Sequence, residues 1–243
     1  MVLLWQNMTT SPLLTVSGIS KAFGRLAAIE DVSFRVEPGE ILGLIGPNGA
    51  GKTTLFECLA GVLPPTRGQL YTAADQPLDG DARSSLIFYV PDGIRPYPDQ
   101  PLGWVLDFAV GFFGGHADNL RRVIDSLQLA PLLKQRIGVL SKGQAKRALL
   151  AFGLLTPQPI LMIDEPFEGL DLKQTREAAA TLREHANGGR TLFLSIHQIA
   201  DAARVCDRLV LLSGGRIRGE GTAAELVSRS GATDLEGAFL ALT

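Results

Sequence analysis

Short, predominantly apolar runs recur along the chain, and each ends in polar or glycine-rich sequence. They lie at residues 41–45, 86–89, 160–163, 191–196 and 209–212. Runs of this length without polar alternation are typical of strands buried on both faces of a parallel sheet. Helical patterns that begin near Leu172 and Gln198 separate the later runs, which is the βαβ rhythm of an α/β fold.

Two segments depart from this rhythm. Residues 13–36 alternate apolar and polar positions, and together with residues 69–71 they are predicted to form a small antiparallel sheet. Residues 91–101 are dense in proline and glycine and are interpreted as a linker, whereas residues 102–113 and 119–127 have helical apolar spacing. We therefore predict a helical subdomain inserted into the parallel-sheet core.

This order of elements predicts a single domain over residues 13–230. Its parts are a core at about 13–90 and 156–230 and a helical subdomain at about 91–155, with terminal segments at 1–12 and 231–243. We expect no added regulatory domain in the last segment.

The composition limits the classes of function. With 243 residues, 46% of them hydrophobic, the chain can bury one substantial core, and its net charge of −2 provides no basic surface for nucleic acid. No run approaches the roughly eighteen apolar residues that span a bilayer, and residues 1–5 lack the basic region of a signal peptide. Cys58 and Cys206 lack metal-ligand spacing and are expected to be buried, reduced thiols on helical stretches. A cytosolic protein that does not bind nucleic acid is predicted.

A phosphate-binding motif follows the first apolar run. Residues 46–53 have the spacing of a P-loop. In a P-loop, glycines let backbone N–H groups approach phosphate oxygens, and a lysine supplies positive charge at the outer phosphates. Thr53 then offers its hydroxyl to magnesium, and the helix predicted from Lys52 to Ala60 directs its N-terminus at the anion. The predicted nucleotide-binding residues of this loop are Gly46, Pro47, Asn48, Gly49, Ala50, Gly51, Lys52, Thr53 and Thr54.

Two acids follow the run at residues 160–163. The end of a core parallel strand delivers side chains to the carboxyl edge of the sheet, so Asp164 and Glu165 are expected at the same edge as the P-loop. Asp164 is predicted to orient magnesium, and Glu165 to act as the general base that polarises the attacking water. Pro166 forces an extended exit from the strand.

Together with Leu140-Ser141-Lys142-Gly143-Gln144, these motifs resemble those of the ATP-binding-cassette (ABC) family, specifically the nucleotide-binding subunit of a transporter. The resemblance runs from about residue 13 to about residue 226. It implies an α/β fold with a P-loop NTPase (RecA-like) core, a small antiparallel β subdomain and an inserted helical subdomain. In the family the signature string closes on the γ-phosphate held by a second subunit, which assigns Ser141, Gly143 and Gln144 to the nucleotide site. Ser141 also fits an N-cap of the following helix.

Further site residues are implied by the same resemblance. His197 follows a predicted strand and matches the switch histidine that contacts the γ-phosphate, so with Lys52 and Glu165 it completes the expected catalytic set. Phe23 lies where the family places an aromatic ring that stacks on adenine. Asp171 lies in a segment that resembles the loop crossing the dimer interface, and it also fits a helix N-cap.

The chain departs from the family pattern at several positions. Asp92 stands where a glutamine is usual; a carboxylate cannot donate a hydrogen bond, and we group it with Thr53 and Asp164 as a magnesium-binding residue. Lys142 replaces the first glycine of the signature, Glu168 a small polar residue, and Phe23 the commoner tyrosine. Because of Asp92 and Glu168, the sequence does not predict the rate of ATP turnover.

The resemblance implies an ATPase that uses ATP and Mg²⁺. We expect a subunit on the inner face of the cell membrane that powers an integral membrane permease, paired head to tail with a second ATP-binding subunit, either a copy or a paralogue. The string from Tyr89 to Asp92 and the short tail resemble ATPases of exporters. Two alternatives stay open at this stage: a soluble ABC ATPase with a non-transport partner, and a regulatory module that closes on ATP and hydrolyses it weakly.

Overall fold

A computed structural model describes residues 11–115 and 117–243; most of the predicted terminal segment 1–12 lies outside them. The strands are β1 (Leu14–Phe23), β2 (Leu26–Val36), β3 (Ile41–Ile45), β4 (Arg67–Thr72), β5 (Ile87–Val90), β6 (Ile160–Asp164), β7 (Thr191–Ile196), β8 (Arg208–Ser213) and β9 (Arg216–Gly221). The helices are α1 (Lys52–Ala60), α2 (Gly80–Leu86), α3 (Leu102–Phe113), α4 (Ala117–Ser126), α5 (Lys142–Leu154), α6 (Leu172–Asn187), α7 (Ile199–Val205), α8 (Ala223–Ser230) and α9 (Leu235–Leu242).

The central sheet has the strand order β5-β6-β7-β3-β8-β9. Its strands are parallel from β5 through β8, and β9 pairs antiparallel to β8 at the edge. This arrangement confirms the predicted α/β architecture. Because the strands β3, β5, β6 and β7 run in the same direction, the loops that follow them all emerge at one edge of the sheet.

Alternate residues of the central strands point to opposite faces and pack into different apolar clusters. On one face, Phe193 of β7 packs against Phe56 of α1, with ring centroids 4.7 Å apart, and against Phe34 of β2, at 5.5 Å. On the other face, Leu192 and Leu194 of the same strand join the cluster formed with the later helices. Burial on both faces explains why these strands are apolar without alternation.

The predicted small antiparallel sheet is present, in the order β2-β1-β4. Val16 of β1 lies opposite Phe34 on one side and Leu70 on the other, and all three side chains are buried. The alternating polar positions of β1 and β2 face away from this core, as expected for a sheet with one covered face.

The inserted segment is helical, as predicted. Helix α3 has the predicted bounds, and its buried Leu102, Val105 and Leu106 lie in the same apolar cluster as Leu149 of α5. None of the helices in residues 11–115 and 117–243 combines the length and apolar composition that a membrane-spanning helix needs.

The segment at 231–243, predicted only as a terminal segment, contains a helix. Residues 235–242 form α9, where Leu235 and Ala238 are buried and Phe239 packs against the larger apolar cluster. Asp234 caps this helix by accepting a hydrogen bond from the Gly237 amide at 2.8 Å. Cys58 is buried in α1 as expected, whereas Cys206 follows α7 and is half-buried.

Candidate nucleotide site

The sheet edge brings the predicted motifs together. The P-loop follows β3, the acid pair ends β6 and His197 follows β7, which lies between these two strands. In the parallel register Asp164 lies opposite Ser195 and Ile45 lies opposite Ile196. Motifs that are more than 100 residues apart in sequence therefore meet at one edge.

Lys52 contacts backbone carbonyl groups of its own P-loop. The ammonium group of Lys52, which is 8% exposed, donates to the Gly46 carbonyl at 2.8 Å and lies 3.4 Å from that of Pro47. Gly51 has φ 102° where the loop enters α1, and a Cβ there would come within 2.6 Å of the Ala28 carbonyl oxygen. A side chain is thus excluded by both backbone conformation and space.

Thr53 and Asp164 lie side by side. The Thr53 hydroxyl donates to Oδ2 of Asp164 at 2.9 Å, while Oδ1 accepts a hydrogen bond from the Ser195 hydroxyl. A hydroxyl and a carboxylate at this distance are the hard oxygen donors that Mg²⁺ prefers, with phosphate oxygens completing the shell. The donor set fits a magnesium ion held between α1 and β6.

Glu165 is held in an unusual backbone conformation. Its φ is 50°, in the left-handed region that a non-glycine residue adopts at a cost. The Glu165 amide donates to the hydroxyl and the carbonyl oxygen of Ser195, at 3.1 and 3.2 Å. Its carboxylate accepts a hydrogen bond from the His197 amide at 3.2 Å and lies 4.0 Å from the Lys52 ammonium.

Burial is the largest influence on the Glu165 carboxyl group and raises its pKa above the usual value. The positive charge of Lys52 lowers the pKa and the negative charge of Asp164 raises it, so the net direction is upward. A half-buried carboxylate with a raised pKa, in contact with a lysine that faces the phosphate position, suits a group that accepts a proton from water.

A cleft of about 590 Å³ opens beside these groups. It is lined by Asn48 of the P-loop, Glu165, Gly169, His197 and Asp201, among others. His197 is exposed, with its side chain available to a ligand in the cleft. The structure therefore brings together the P-loop, Thr53, Asp164, Glu165 and His197.

The signature residues lie at the start of α5 and not beside Lys52. Ser141 caps the helix by accepting from the Gln144 amide at 3.3 Å, and the Gln144 side chain accepts from the Ser141 amide at 2.9 Å. In this capping box the Ser141 hydroxyl oxygen and the Gln144 amide oxygen act as acceptors, so the Ser141 O–H can still donate to a phosphate. Ser141 and Lys142 are exposed at the start of the helix.

The start of α5 also contacts the loop after Glu165. Lys142 and Glu168, both departures from the family pattern, form an exposed ion pair with 2.6 Å between Nζ and Oε1. A Cβ on Gly143 would lie 2.7 Å from the Gly169 carbonyl oxygen. At the end of this loop Asp171 caps α6 by accepting from the Gln174 amide at 2.8 Å.

Phe23 and Asp92 lie on two further elements of the fold. Phe23 ends β1, with its ring 48% exposed and the Lys21 ammonium 5.3 Å from the ring centroid. Asp92, in the loop after β5, pairs with Lys146 of α5 at 2.5 Å. Burial raises the pKa of the Asp92 carboxyl group, but the hydrogen bond and charge of Lys146 outweigh it, and the net pKa is lowered.

Ser195 and Lys146 belong to no motif recognised in the sequence. Ser195 is a fully buried polar residue within an otherwise apolar strand, and it bonds both to the Asp164 side chain and to the Glu165 backbone. A hydroxyl in such a run, two residues before His197, was the signal that could have identified it. Lys146 is 5% exposed and looked like one more cation on an amphipathic helix.

Comparison with known proteins gives a consistent result. The sequence model of a family described as "ABC transporter" matches residues 29–168. The Nod factor export ATP-binding protein I of Rhizobium etli is 34% identical over 217 residues, which are 87% of this chain and 68% of that protein. The ABC-type transporter ATP-binding protein EcsA of Bacillus subtilis is 29% identical over 241 residues, 95% of this chain and 96% of that protein.

Solved structures share the fold. An ATP-binding subunit of an ABC transporter superimposes with a TM-score of 0.84 at 29% sequence identity, covering 95% of this chain and 99% of that one. The P-loop NTPase architecture, with its antiparallel β subdomain and inserted helices, thus extends over nearly the whole chain.

Proposed function

Because this chain belongs to the ABC transporter family, we propose that it is the ATP-hydrolysing subunit that powers solute transport by a separate membrane permease. The family assignment supports ATP binding, and the site geometry supports hydrolysis. Export is the proposed direction, because a relative of 34% identity is named for export. A position on the inner face of the cell membrane belongs to the same proposal.

One observation carries the hydrolysis proposal: the Glu165 carboxylate lies 4.0 Å from the Lys52 ammonium while accepting a hydrogen bond from the His197 amide. Lys52 identifies where the outer phosphates of ATP lie, because a P-loop lysine pairs with them. A base in contact with this lysine is placed to take a proton from water attacking the γ-phosphate.

The other residues support the same step. Thr53 and Asp164 would hold Mg²⁺, which when bound neutralises negative charge on the phosphate oxygens. Lys52 stabilises the charge that develops on the transferred group. His197 lines the cleft beside Glu165. Phe23 offers an exposed ring face to the adenine.

Closure of two subunits over ATP is part of the proposal. Gly143 lies against Gly169 in the loop that follows Glu165, and neither Ser141 nor Gly143 lines the cleft beside Glu165. We infer that they meet the γ-phosphate bound by a second subunit, because the exposed start of α5 suits an anion that approaches from another molecule. Closure then draws its energy from the difference in ATP affinity between the closed and open pairs.

Steady-state phosphate release tests the proposal. The wild-type chain is expected to hydrolyse MgATP, and Glu165→Gln is expected to abolish turnover while retaining ATP binding. Glu236→Gln, an equally conservative change on the exposed side of α9, is the matched control and should leave turnover unchanged. Hydrolysis that survives Glu165→Gln would remove the assigned base from the mechanism.

The membrane partner requires a second experiment. The tagged chain is purified from detergent-solubilised native membranes, and the proteins that accompany it are identified and added back to the ATPase assay. A multi-span membrane protein that raises hydrolysis supports the transporter assignment. Recovery of only soluble companions that raise hydrolysis would instead support a soluble ABC ATPase.

A further inference from the structure

Lys146 connects three parts of the site from a buried position. It lies in the second turn of α5 and is 5% exposed. Its ammonium donates to Oδ1 of Asp92 at 2.5 Å, in the loop after β5. It also lies 3.5 Å from the carbonyl oxygen of Asp164, at the end of β6.

The carbonyl of Asp164 is part of the peptide group that links Asp164 to Glu165, so Lys146 contacts this peptide group. The carbonyl of this peptide faces Lys146, and its N–H, on Glu165, donates to Ser195. The peptide is therefore held from both sides at the point where Glu165 adopts its φ of 50°. A strained backbone of this kind persists only where the surrounding groups fix it.

A buried ammonium needs a partner of opposite charge, since an unpaired charge in the interior is strongly destabilising. Asp92 supplies that charge. Its carboxylate pairs with Lys146, and its assignment as a magnesium ligand stays a prediction. Asp92, which stands where the family usually has glutamine, is thus paired with Lys146 on helix α5.

We propose that Lys146 is a positioning residue for hydrolysis, which fixes the Asp164–Glu165 peptide and thereby the direction of the Glu165 carboxylate, with Asp92 as its counter-ion. The inference rests on the proposed function in one respect, that Glu165 is the base. It predicts that the loop after β5, the start of α5 and the general base move as a unit.

Two double variants separate this role from a purely structural ion pair. Asp92→Gln with Lys146→Gln keeps a hydrogen-bonding pair and a donor for the Asp164 carbonyl. Asp92→Leu with Lys146→Met removes both charges and the donor together, so it avoids leaving a buried charge unpaired and is expected to fold. The single variants Asp92→Gln and Lys146→Gln complete the double-mutant cycle for the polar pair.

The polar pair is expected to keep kcat within about threefold of the wild type, whereas the apolar pair lowers kcat about tenfold or more with KM for ATP within about twofold. A fall in kcat at constant KM indicates a misplaced base and not weakened nucleotide binding. Wild-type kcat in the apolar pair, or the same large loss in both pairs, would overturn the proposal.

Amide hydrogen exchange gives a readout that needs no catalysis. In nucleotide-free protein, exchange at the amides of Glu165, Phe167 and Glu168 is expected to be about tenfold faster in the apolar pair than in the wild type, and unchanged in the polar pair. Equal exchange in all three proteins would also overturn the proposal. If the wild type does not hydrolyse ATP, the proposed function fails, and the exchange comparison still decides whether Lys146 holds this peptide.

Discussion

The hydroxyl of Thr53 donates a 2.9 Å hydrogen bond to Oδ2 of Asp164. This bond joins the first turn of α1 to the end of β6, across 111 residues of sequence. Since Oδ1 is already bonded to Ser195, both oxygens of Asp164 are oriented before any ligand arrives. The site is therefore pre-organised on its metal-binding side.

Asp164→Asn is predicted to weaken the response to magnesium. The amide keeps the shape of the side chain but loses the negative charge that a hard cation prefers. The Mg²⁺ concentration for half-maximal hydrolysis should rise about tenfold or more, measured by titration at saturating ATP. Asp118→Asn, at a side chain that is 89% exposed, should leave it unchanged. An unaltered magnesium requirement in Asp164→Asn would contradict the assignment.

Glu165→Gln is predicted to stabilise the fold near neutral pH. Burial raises the pKa of Glu165 in the folded chain, so its ionisation destabilises the folded state as the pH rises through that pKa. The variant should therefore show a higher urea midpoint than the wild type at about pH 7.5, and the two should converge below the ordinary glutamate pKa of about 4.3. Urea titrations without nucleotide or magnesium measure this difference.

A lower midpoint for Glu165→Gln at neutral pH would contradict the prediction. It would mean that the attraction between Glu165 and Lys52, 4.0 Å apart, outweighs the cost of burying the carboxylate. Glu236→Gln, on the exposed side of α9, controls for the general effect of removing one negative charge.

The sequence predicted the parts of the fold whose patterns are local. Strand β7 was expected because its apolar run is uninterrupted for the length of a buried strand, and α3 because its apolar spacing is helical over three turns. The positions of Glu165 and His197 followed from the same logic, since the ends of parallel strands share an edge.

The remaining features depend on contacts that no local pattern contains. Lys146 is buried because the loop after β5 returns to α5, and a lysine on an amphipathic helix is ordinarily solvated. Helix α9 is only two turns long and is stabilised by packing of Leu235 and Phe239, which propensity alone does not predict. Lys142 and Glu168 likewise form an ion pair, although these two departures from the family pattern lie far apart in the sequence.

Gly143→Ala is predicted to impair hydrolysis through a clash. A Cβ at Gly143 would lie 2.7 Å from the Gly169 carbonyl oxygen, so the start of α5 or the loop after Glu165 must shift. Gly111→Ala is the matched control, because Gly111 also lies in a helix and a Cβ there meets nothing within 4 Å. It should keep full activity and gain up to about 1 kcal/mol of stability from helix propensity.

Phosphate release and urea unfolding measure both glycine variants. The prediction holds if kcat falls about tenfold or more in Gly143→Ala alone. Equal activity in the two variants would show that the loop tolerates the displacement, and that close packing of α5 against Gly169 is not needed for hydrolysis.

Phe23→Ala is predicted to weaken binding of ATP about tenfold, because stacking of a base on an aromatic ring contributes about 1–3 kcal/mol. Phe23→Tyr should bind as the wild type does, since it keeps the ring face. Leu26→Ala is the matched control: Leu26 lies opposite Phe23 in the β1–β2 register and is 68% exposed. Inorganic triphosphate, which has no base, should bind wild type and Phe23→Ala equally in a calorimetric titration. An equal loss of affinity for triphosphate and ATP would mean that Phe23 supports the P-loop and does not stack on the base.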